Sequence, residues 1–164
     1  MKFTLAWLKE HLDTAASLPD IVDALLGVGF EVQEVVDAAA SLAPFKVAYV
    51  REAKPHPNAD RLRVCLVETE AGEVQVVCGA PNARTGMKGI FAPVGTHIPG
   101  TGIDLRKGVI RGVESNGMLL SERELKISQD HEGIIEVSAD LPVGTPAAAA
   151  LGLDDAMLYI KVTP

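Results

Sequence analysis

Two cysteines, one tryptophan and 4% aromatic residues are what these 164 residues have in short supply. Two cysteines cannot form a disulfide framework, and no Cys/His group stands at four-ligand zinc spacing. His11, His56, His97 and His131 are scattered at no metal-ligand spacing. No apolar run is long enough to span a bilayer, and Met1-Lys2-Phe3-Thr4 leads into mixed, charged sequence unlike a signal peptide. A cytoplasmic protein is therefore expected. A phosphate loop, a dinucleotide glycine set and a Gly-x-Ser-x-Gly elbow are missing, which excludes an ATP site, an NAD site and a hydrolase triad of those kinds within the chain. Basic charge is also scarce: 15 Lys+Arg against 22 Asp+Glu leave a net charge of −7. Taken as a total, that argues against nucleic-acid binding through bulk charge. The length allows one ordinary domain, or one domain with a small appendage, and a core of its own.

The charge is unevenly placed. Residues 1–41 hold two basic and seven acidic side chains, residues 42–111 hold ten basic and six acidic, and residues 112–150 hold two basic and seven acidic. The middle is thus mildly basic between acidic flanks, which also describes an ordinary solvated surface.

Periodicity divides the chain into two textures. Thr4 can cap a first helix carrying Leu5, Leu8 and Leu12. Ser17 can cap a second, with Pro19 and Asp20 in its first turn and Ile21, Val22, Leu25 and Leu26 as its stripe, ending at Gly27 or Gly29. Phe30–Val35 alternates as a strand, and the alanine-rich 37–44 reads as a linker. From Phe45 the pattern is β. Strands are predicted at Phe45–Lys54, Leu62–Glu70, Glu73–Cys78, Lys88–Pro93, Lys107–Gly112, Gly117–Leu120 and Ile134–Val137. Ala71-Gly72 is the predicted hairpin loop, which sets Cys65 opposite Cys78. That pairing also opposes Glu70 and Glu73, so a slipped register is the alternative. Ser121-Glu122-Arg123-Glu124 has capping-box spacing, which predicts a short helix. Met157–Val162 reads as one more strand, able to return to the N-terminal element. Many short strands with frequent turns suggest a small barrel, and the five-stranded oligonucleotide-binding (OB) barrel has this size.

The chemistry is concentrated in Lys54-Pro55-His56-Pro57-Asn58-Ala59-Asp60-Arg61-Leu62. Two prolines restrict the backbone there, and an ordered loop can present polar groups to phosphates and unstacked bases. A rigid turn whose Asn58 and Asp60 satisfy their own backbone explains the same residues. Cys78-Gly79-Ala80-Pro81-Asn82 is a tight strand exit in which Cys78 reads as a packed small hydrophobe. Phe45, Tyr49 and Phe91 are too few for successive base stacking, so recognition of folded RNA by shape and backbone fits better.

Three blocks in order carry a resemblance. His56-Pro57-Asn58-Ala59-Asp60-Arg61-Leu62, Val77-Cys78-Gly79-Ala80-Pro81-Asn82 and Gly117-Met118-Leu119-Leu120-Ser121 resemble the tRNA-binding OB domain of several aminoacyl-tRNA synthetases and stand-alone tRNA-binding proteins. Residues Met1–Glu10, Gly29–Val32 and Ile160–Pro164 resemble the N-terminal region of the β subunit of bacterial phenylalanyl-tRNA synthetases. Together they cover essentially the whole chain. The resemblance implies a mostly β fold in which a five-stranded OB barrel (42–150) is inserted into a small split α/β domain. Residues 1–41 are its first part and 151–164 its return strand, cut off at Pro164. It implies a non-catalytic module of a longer ligase subunit, with no cofactor or metal in this chain. ATP and Mg²⁺ would serve the parent enzyme, whose α subunit, in an α2β2 assembly, holds the aminoacylation site. The implied partner is tRNA, not DNA or a membrane. Motif positions put forward His56, Asn58, Arg61, Asn82 and Ser121 as candidates for tRNA binding; charge adds Lys54, Arg63, Arg84, Lys88 and Arg111. Gly79, Pro81, Gly117 and Met118 also read as architectural. A structural or assembly role with little tRNA contact, and a free-standing tRNA-binding protein, are the alternatives.

Overall fold

The computed structural model describes residues 1–162. Thr163 and Pro164, which close both the Ile160–Pro164 resemblance and the 151–164 segment, lie outside the described residues. The chain divides into two compact units: Met1–Ser41 together with the stretch from Leu151 onward, and Leu42–Ala150.

In the first unit β1 (Lys2–Thr4) runs directly into α1 (Leu5–His11). Thr4 Oγ1 accepts the N–H of Trp7 (3.2 Å) and Asp155 Oδ1 accepts that of Ala6 (2.9 Å), so two of the helix's free N-terminal donors are satisfied. α2 (Leu18–Gly27) starts at a capping box of Ser17 and Asp20. The hydroxyl and then the backbone N–H of Ser17 hold the Asp20 carboxyl below its ordinary range. β2 (Glu31–Val36) follows. The expected linker 37–44 instead contains a one-turn helix, α3 (Ala38–Ser41), because Asp37 accepts the N–H groups of Ala40 and Ser41 at its start and alanine favours the helix.

The second unit is built on β3 (Lys46–His56), β4 (Ala59–Thr69), β5 (Gly72–Cys78) and β6 (Lys88–Pro93). Two short ribbons come next: β7 (His97–Ile98) with β8 (Ile103–Asp104), and β9 (Gly108–Ile110) with β10 (Val113–Ser115). Then come β11 (Gly117–Leu119) and α4 (Ala147–Ala150). Five strands form one antiparallel sheet in the order β11-β6-β3-β4-β5. Its inner face packs Ala48, Val50, Cys65, Val67, Val76 and Phe91 into one core. β12 (Met157–Lys161) pairs antiparallel with both β1 and β2, completing the three-stranded sheet of the first unit.

The fold is therefore mostly β, with several sheets and few helices. The outer strands β5 and β11 are not joined by a ladder. Three hydrogen bonds bridge β5 to the β10–β11 segment instead: Asn116 N–H to Gln75 O (2.8 Å), Gln75 Nε2 to Glu114 O (2.8 Å) and Val77 N–H to Ser115 Oγ (3.1 Å).

Several sequence expectations are corrected. Thr69 pairs with Gly72 and Cys65 with Val76, so the hairpin loop is Glu70–Ala71 and the two cysteines do not face each other. The Thr69 hydroxyl holds that turn, accepting from Ala71 N–H (3.3 Å) and donating to Gly72 O (2.7 Å). Electrostatics favour the slip: Glu70 moves from opposite Glu73 into an ion pair with Lys46. Glu73 now faces Glu68 but pairs with Arg51 at 2.8 Å. The expected ordered loop 54–62 is a tight hairpin that turns at Pro57–Asn58. Pro55 stands at the register shift between Pro55 and His56, where its missing N–H costs no ladder bond. The strand expected over Ile134–Val137 is reduced to one isolated bridge, Lys88↔Val137, because the backbone of Ile134 is bonded by the Asn82 side chain. The expected helix after Ser121 is a series of turns, in which Glu124 folds back to accept from Ser121 N–H and Oγ.

Burial pushes the Cys65 thiol from 9.0 up to about 11, with Cys78 adding a smaller push, and burial raises Cys78 as well. The folded state thus keeps Cys65 neutral where an unfolded chain would ionise it. Its contribution to stability is full below about pH 9 and is lost as the pH rises towards about 11. At neutral pH both thiols are expected to resist alkylation until the chain is unfolded by urea, measured by mass shift with iodoacetamide.

Candidate nucleic-acid interface

Ten basic side chains lie between Lys46 and Arg111. Folding engages six of them. Lys46 pairs with Glu70, Arg51 with Glu73, Lys54 with Glu52 (3.0 Å), Arg84 with Glu136 and Lys107 with Glu114 (3.9 Å). Lys88 Nζ donates to the carbonyls of Ala139 (2.8 Å) and Leu141 (2.5 Å). The forked contact raises the Arg84 guanidinium and lowers the Glu136 carboxyl, yet both are exposed, so water screens the pair. Arg61, Arg63, Arg106 and Arg111 have no ion-pair partner among the described residues.

Arg61 and Arg63 line one cleft on β4, and Arg111 lies at the tip of a ribbon tied to the β3–β4 hairpin. β3 and β4 meet at the Pro57–Asn58 turn, and the β9–β10 ribbon is pinned against it by His56 and Asn58. His56 is 5% exposed. Its Nδ1 accepts the N–H of Asn58 (2.9 Å) and its Nε2 donates to Ile110 O (2.9 Å), which fixes a neutral ring protonated on Nε2. Asn58 Nδ2 donates to Arg111 O (3.0 Å). Arg111 (φ +52°) and Gly112 (φ +85°) both take left-handed conformations, which is the geometry of a tight hairpin turn. The chain therefore reverses at Arg111, and the strand expected over Lys107–Gly112 ends at Ile110. The Arg111 side chain is left exposed at the ribbon tip.

Arg61 lies in the irregular part of β4, where the register shifts, and Arg63 stands opposite Pro55 just beyond it. With Asp60 they line a cleft of about 560 Å³ whose opposite wall is Gly79, Ala80 and Pro81. Gly79 and Ala80 also line a smaller pocket of about 260 Å³, together with Ser121, Glu124, His131 and Glu132. A hairpin tip with unpaired arginines beside a groove suits the sugar–phosphate backbone of a nucleic acid.

A family model described as "Putative tRNA binding domain" matches residues 45–146. The chain belongs to this tRNA-binding family. The match runs from the residue before β3 to the residue before α4, and it contains the whole hairpin–ribbon junction. The full chain is also similar to the N-terminal region of phenylalanine–tRNA ligase β subunits. It is 57% identical to that of Cereibacter sphaeroides, 54% to that of Nitrobacter winogradskyi and 54% to that of Rhodospirillum rubrum. All of this chain is covered in each case, against 21%, 21% and 20% of the relatives, so it spans about a fifth of their length. A solved MetRS related protein from Pyrococcus horikoshii superposes with a TM-score of 0.47 at 24% identity over 70% of this chain and 99% of that one, a likeness too loose to carry more.

Within the tRNA-binding domain the ten candidate residues separate by role. Arg61 and Arg63 line the cleft and Arg111 lies at the ribbon tip, none with an ion-pair partner among the described residues. His56 and Asn58 hold the hairpin–ribbon junction together through the backbone bonds above. Asn82 lies elsewhere, its amide donating to Ile134 O (2.8 Å) and accepting from Ile134 N–H (3.0 Å). Ser121 is buried against Glu124 in the small pocket. Lys54, Arg84 and Lys88 are engaged by Glu52, Glu136 and backbone carbonyls. The pocket residues Glu124 and His131 escaped sequence reasoning. Glu124 did give a signal, the spacing to Ser121, but that spacing reads locally as a helix cap.

Proposed function

We propose that this chain is the non-catalytic tRNA-binding module of a phenylalanine–tRNA ligase β subunit. It would hold tRNA through Arg61, Arg63 and Arg111 while ATP-dependent attachment of phenylalanine proceeds elsewhere in a cytoplasmic α2β2 enzyme. The observation that carries this reading is that Arg61 and Arg63, which line one cleft, and Arg111, on the ribbon tied to the β3–β4 hairpin, have no ion-pair partner among the described residues of the matched region. The bridging bonds from β5 to the β10–β11 segment support an OB-type barrel, in which the five-stranded sheet curls so that its outer strands approach. Among the described residues no three His, Cys, Asp or Glu side chains are grouped to hold a metal ion, and the sequence has no phosphate loop. In this reading ATP and Mg²⁺ serve other parts of the ligase. No helix of the described residues is long and apolar enough to cross a membrane.

Three phosphate contacts make for weak, salt-dependent binding. The slope of log K against log salt is expected to be about −2 to −3. Fluorescence titration of labelled tRNA at low and moderate salt checks this. The triple variant R61E/R63E/R111E is expected to bind at least about tenfold more weakly, whereas R84E, whose arginine is paired, leaves affinity unchanged. Salt-insensitive binding, or an unaffected triple variant, would overturn the reading. The latter result would favour an assembly role, for which the exposed Trp7 (50%) and Val28 (73%) of the first unit provide apolar surface.

A further inference from the structure

We propose that the small pocket beside Gly79 and Ala80 takes one unstacked nucleobase and reads its exocyclic amino group through Glu124, favouring cytosine, adenine and guanine over uracil. The inference rests on the RNA-binding reading above and adds a base-specific contact to it.

The pocket has an apolar lining from Cys78, Met118, Leu119 and Ile134, on which a base's flat face can pack. Its volume of about 260 Å³ lies just under the range of about 300–1,000 Å³ usual for small-molecule sites, so it suits one base rather than a larger ligand. The polar part of its wall is built. Glu124 Oε2 accepts from Ser121 N–H (2.5 Å) and Oγ, and Ser121 itself is buried, so the carboxylate is anchored by one oxygen. The backbone of the same residue is fixed by Gly100 N–H, which donates to Glu124 O (2.7 Å). Oε1 has no hydrogen-bond donor among the described side chains and backbone groups.

A carboxylate only accepts, so its partner must donate. The exocyclic amino groups of cytosine, adenine and guanine do so, whereas uracil has no amino group and offers only its ring N3–H, flanked by two carbonyl oxygens that a carboxylate repels. Glu132 adds a second negative charge to the pocket. Two carboxylates exclude a phosphate, while Arg61 and Arg63 attract one into the cleft that shares Gly79 and Ala80. The groove thus sorts a nucleotide: backbone on the arginine side, base on the glutamate side.

The test uses the full chain and short single-stranded oligocytidylate and oligouridylate, followed by fluorescence anisotropy. Oligocytidylate is expected to bind about tenfold more tightly, the scale of one hydrogen bond to a charged group. Methylating both hydrogens of the cytosine amino group should abolish that advantage without any change to the protein. In E124Q the amide oxygen can keep the bonds from Ser121 while the amide nitrogen becomes a donor, so the preference should reverse towards oligouridylate. Equal binding of the two oligonucleotides by the unaltered chain, or an unchanged preference in E124Q, overturns the base pocket. If R61E/R63E still weakens both oligonucleotides in that event, the RNA-binding reading survives alone. If the chain binds neither oligonucleotides nor tRNA, both fall.

Discussion

Replacing Gly100 by alanine is expected to destabilise the chain by about 1–3 kcal/mol, the range of an overpacked site that cannot relax freely. A Cβ on Gly100 would lie 2.0 Å from Arg123 O, 2.6 Å from Glu124 Cα and 2.8 Å from Arg123 C. These are backbone atoms, so no rotamer change removes the clash. The two segments are also joined by the Gly100 N–H to Glu124 O bond, so separating them breaks a hydrogen bond as well. Thermal unfolding should show a midpoint lowered by about 2–4 °C per kcal/mol for a chain of this length. Because the displaced residue is Glu124, G100A should also blunt discrimination between oligocytidylate and oligouridylate. An unchanged midpoint would show that the Arg123–Glu124 backbone yields easily, contrary to the packing described.

Removing the His56 ring should cost a comparable amount or more. In H56A the Asn58 N–H and the Ile110 carbonyl both lose their partner beside a buried site, each worth about 1–3 kcal/mol. Two partial replacements separate the bonds. H56N can still accept from Asn58 N–H near the Nδ1 position, and H56Q can still donate to Ile110 O near the Nε2 position. Each is expected to fall between the unaltered chain and H56A in urea unfolding. The same series tests position against contact. If His56 acts by pinning the ribbon, H56Q retains more tRNA affinity than H56N, because it keeps the tie to the ribbon that carries Arg111. Equal affinity in all three variants, with the fold intact, would mean that Arg111 needs no such anchor.

The two bonds of His56 also mark what the sequence by itself leaves open. The His-Pro-Asn-Ala-Asp-Arg-Leu block is conspicuous in the chain, and the residues it singles out do meet in space. Their division of labour is invisible there. An exposed contacting histidine and a buried histidine bonded to backbone are the same letter. What separates them is Ile110, 54 positions away. The ten basic residues of the middle segment pose the same problem. Their count gives a net positive charge, but Arg84 is matched by Glu136 and Lys46 by Glu70, 52 and 24 positions away. The usable positive surface is the remainder that long-range pairing leaves over.

By itself the sequence determined whatever depends on neighbours within a few residues. Thr4 and Ser17 open their helices because an N-cap needs only a hydroxyl and the next turn's N–H. Lys88–Pro93 is a strand as its apolar run predicts, and the motif blocks mark the tRNA-binding region without any coordinates. Tertiary structure alone decided the register of β4 on β5, the loss of the Ile134–Val137 strand to the Asn82 amide, the left-handed turn at Arg111 and the tie of the Glu124 backbone to Gly100. Each is a competition between alternatives that are locally almost equal in energy. It is settled by a partner brought from far along the chain, whose hydrogen bond or charge counts only once the backbone has already folded around it.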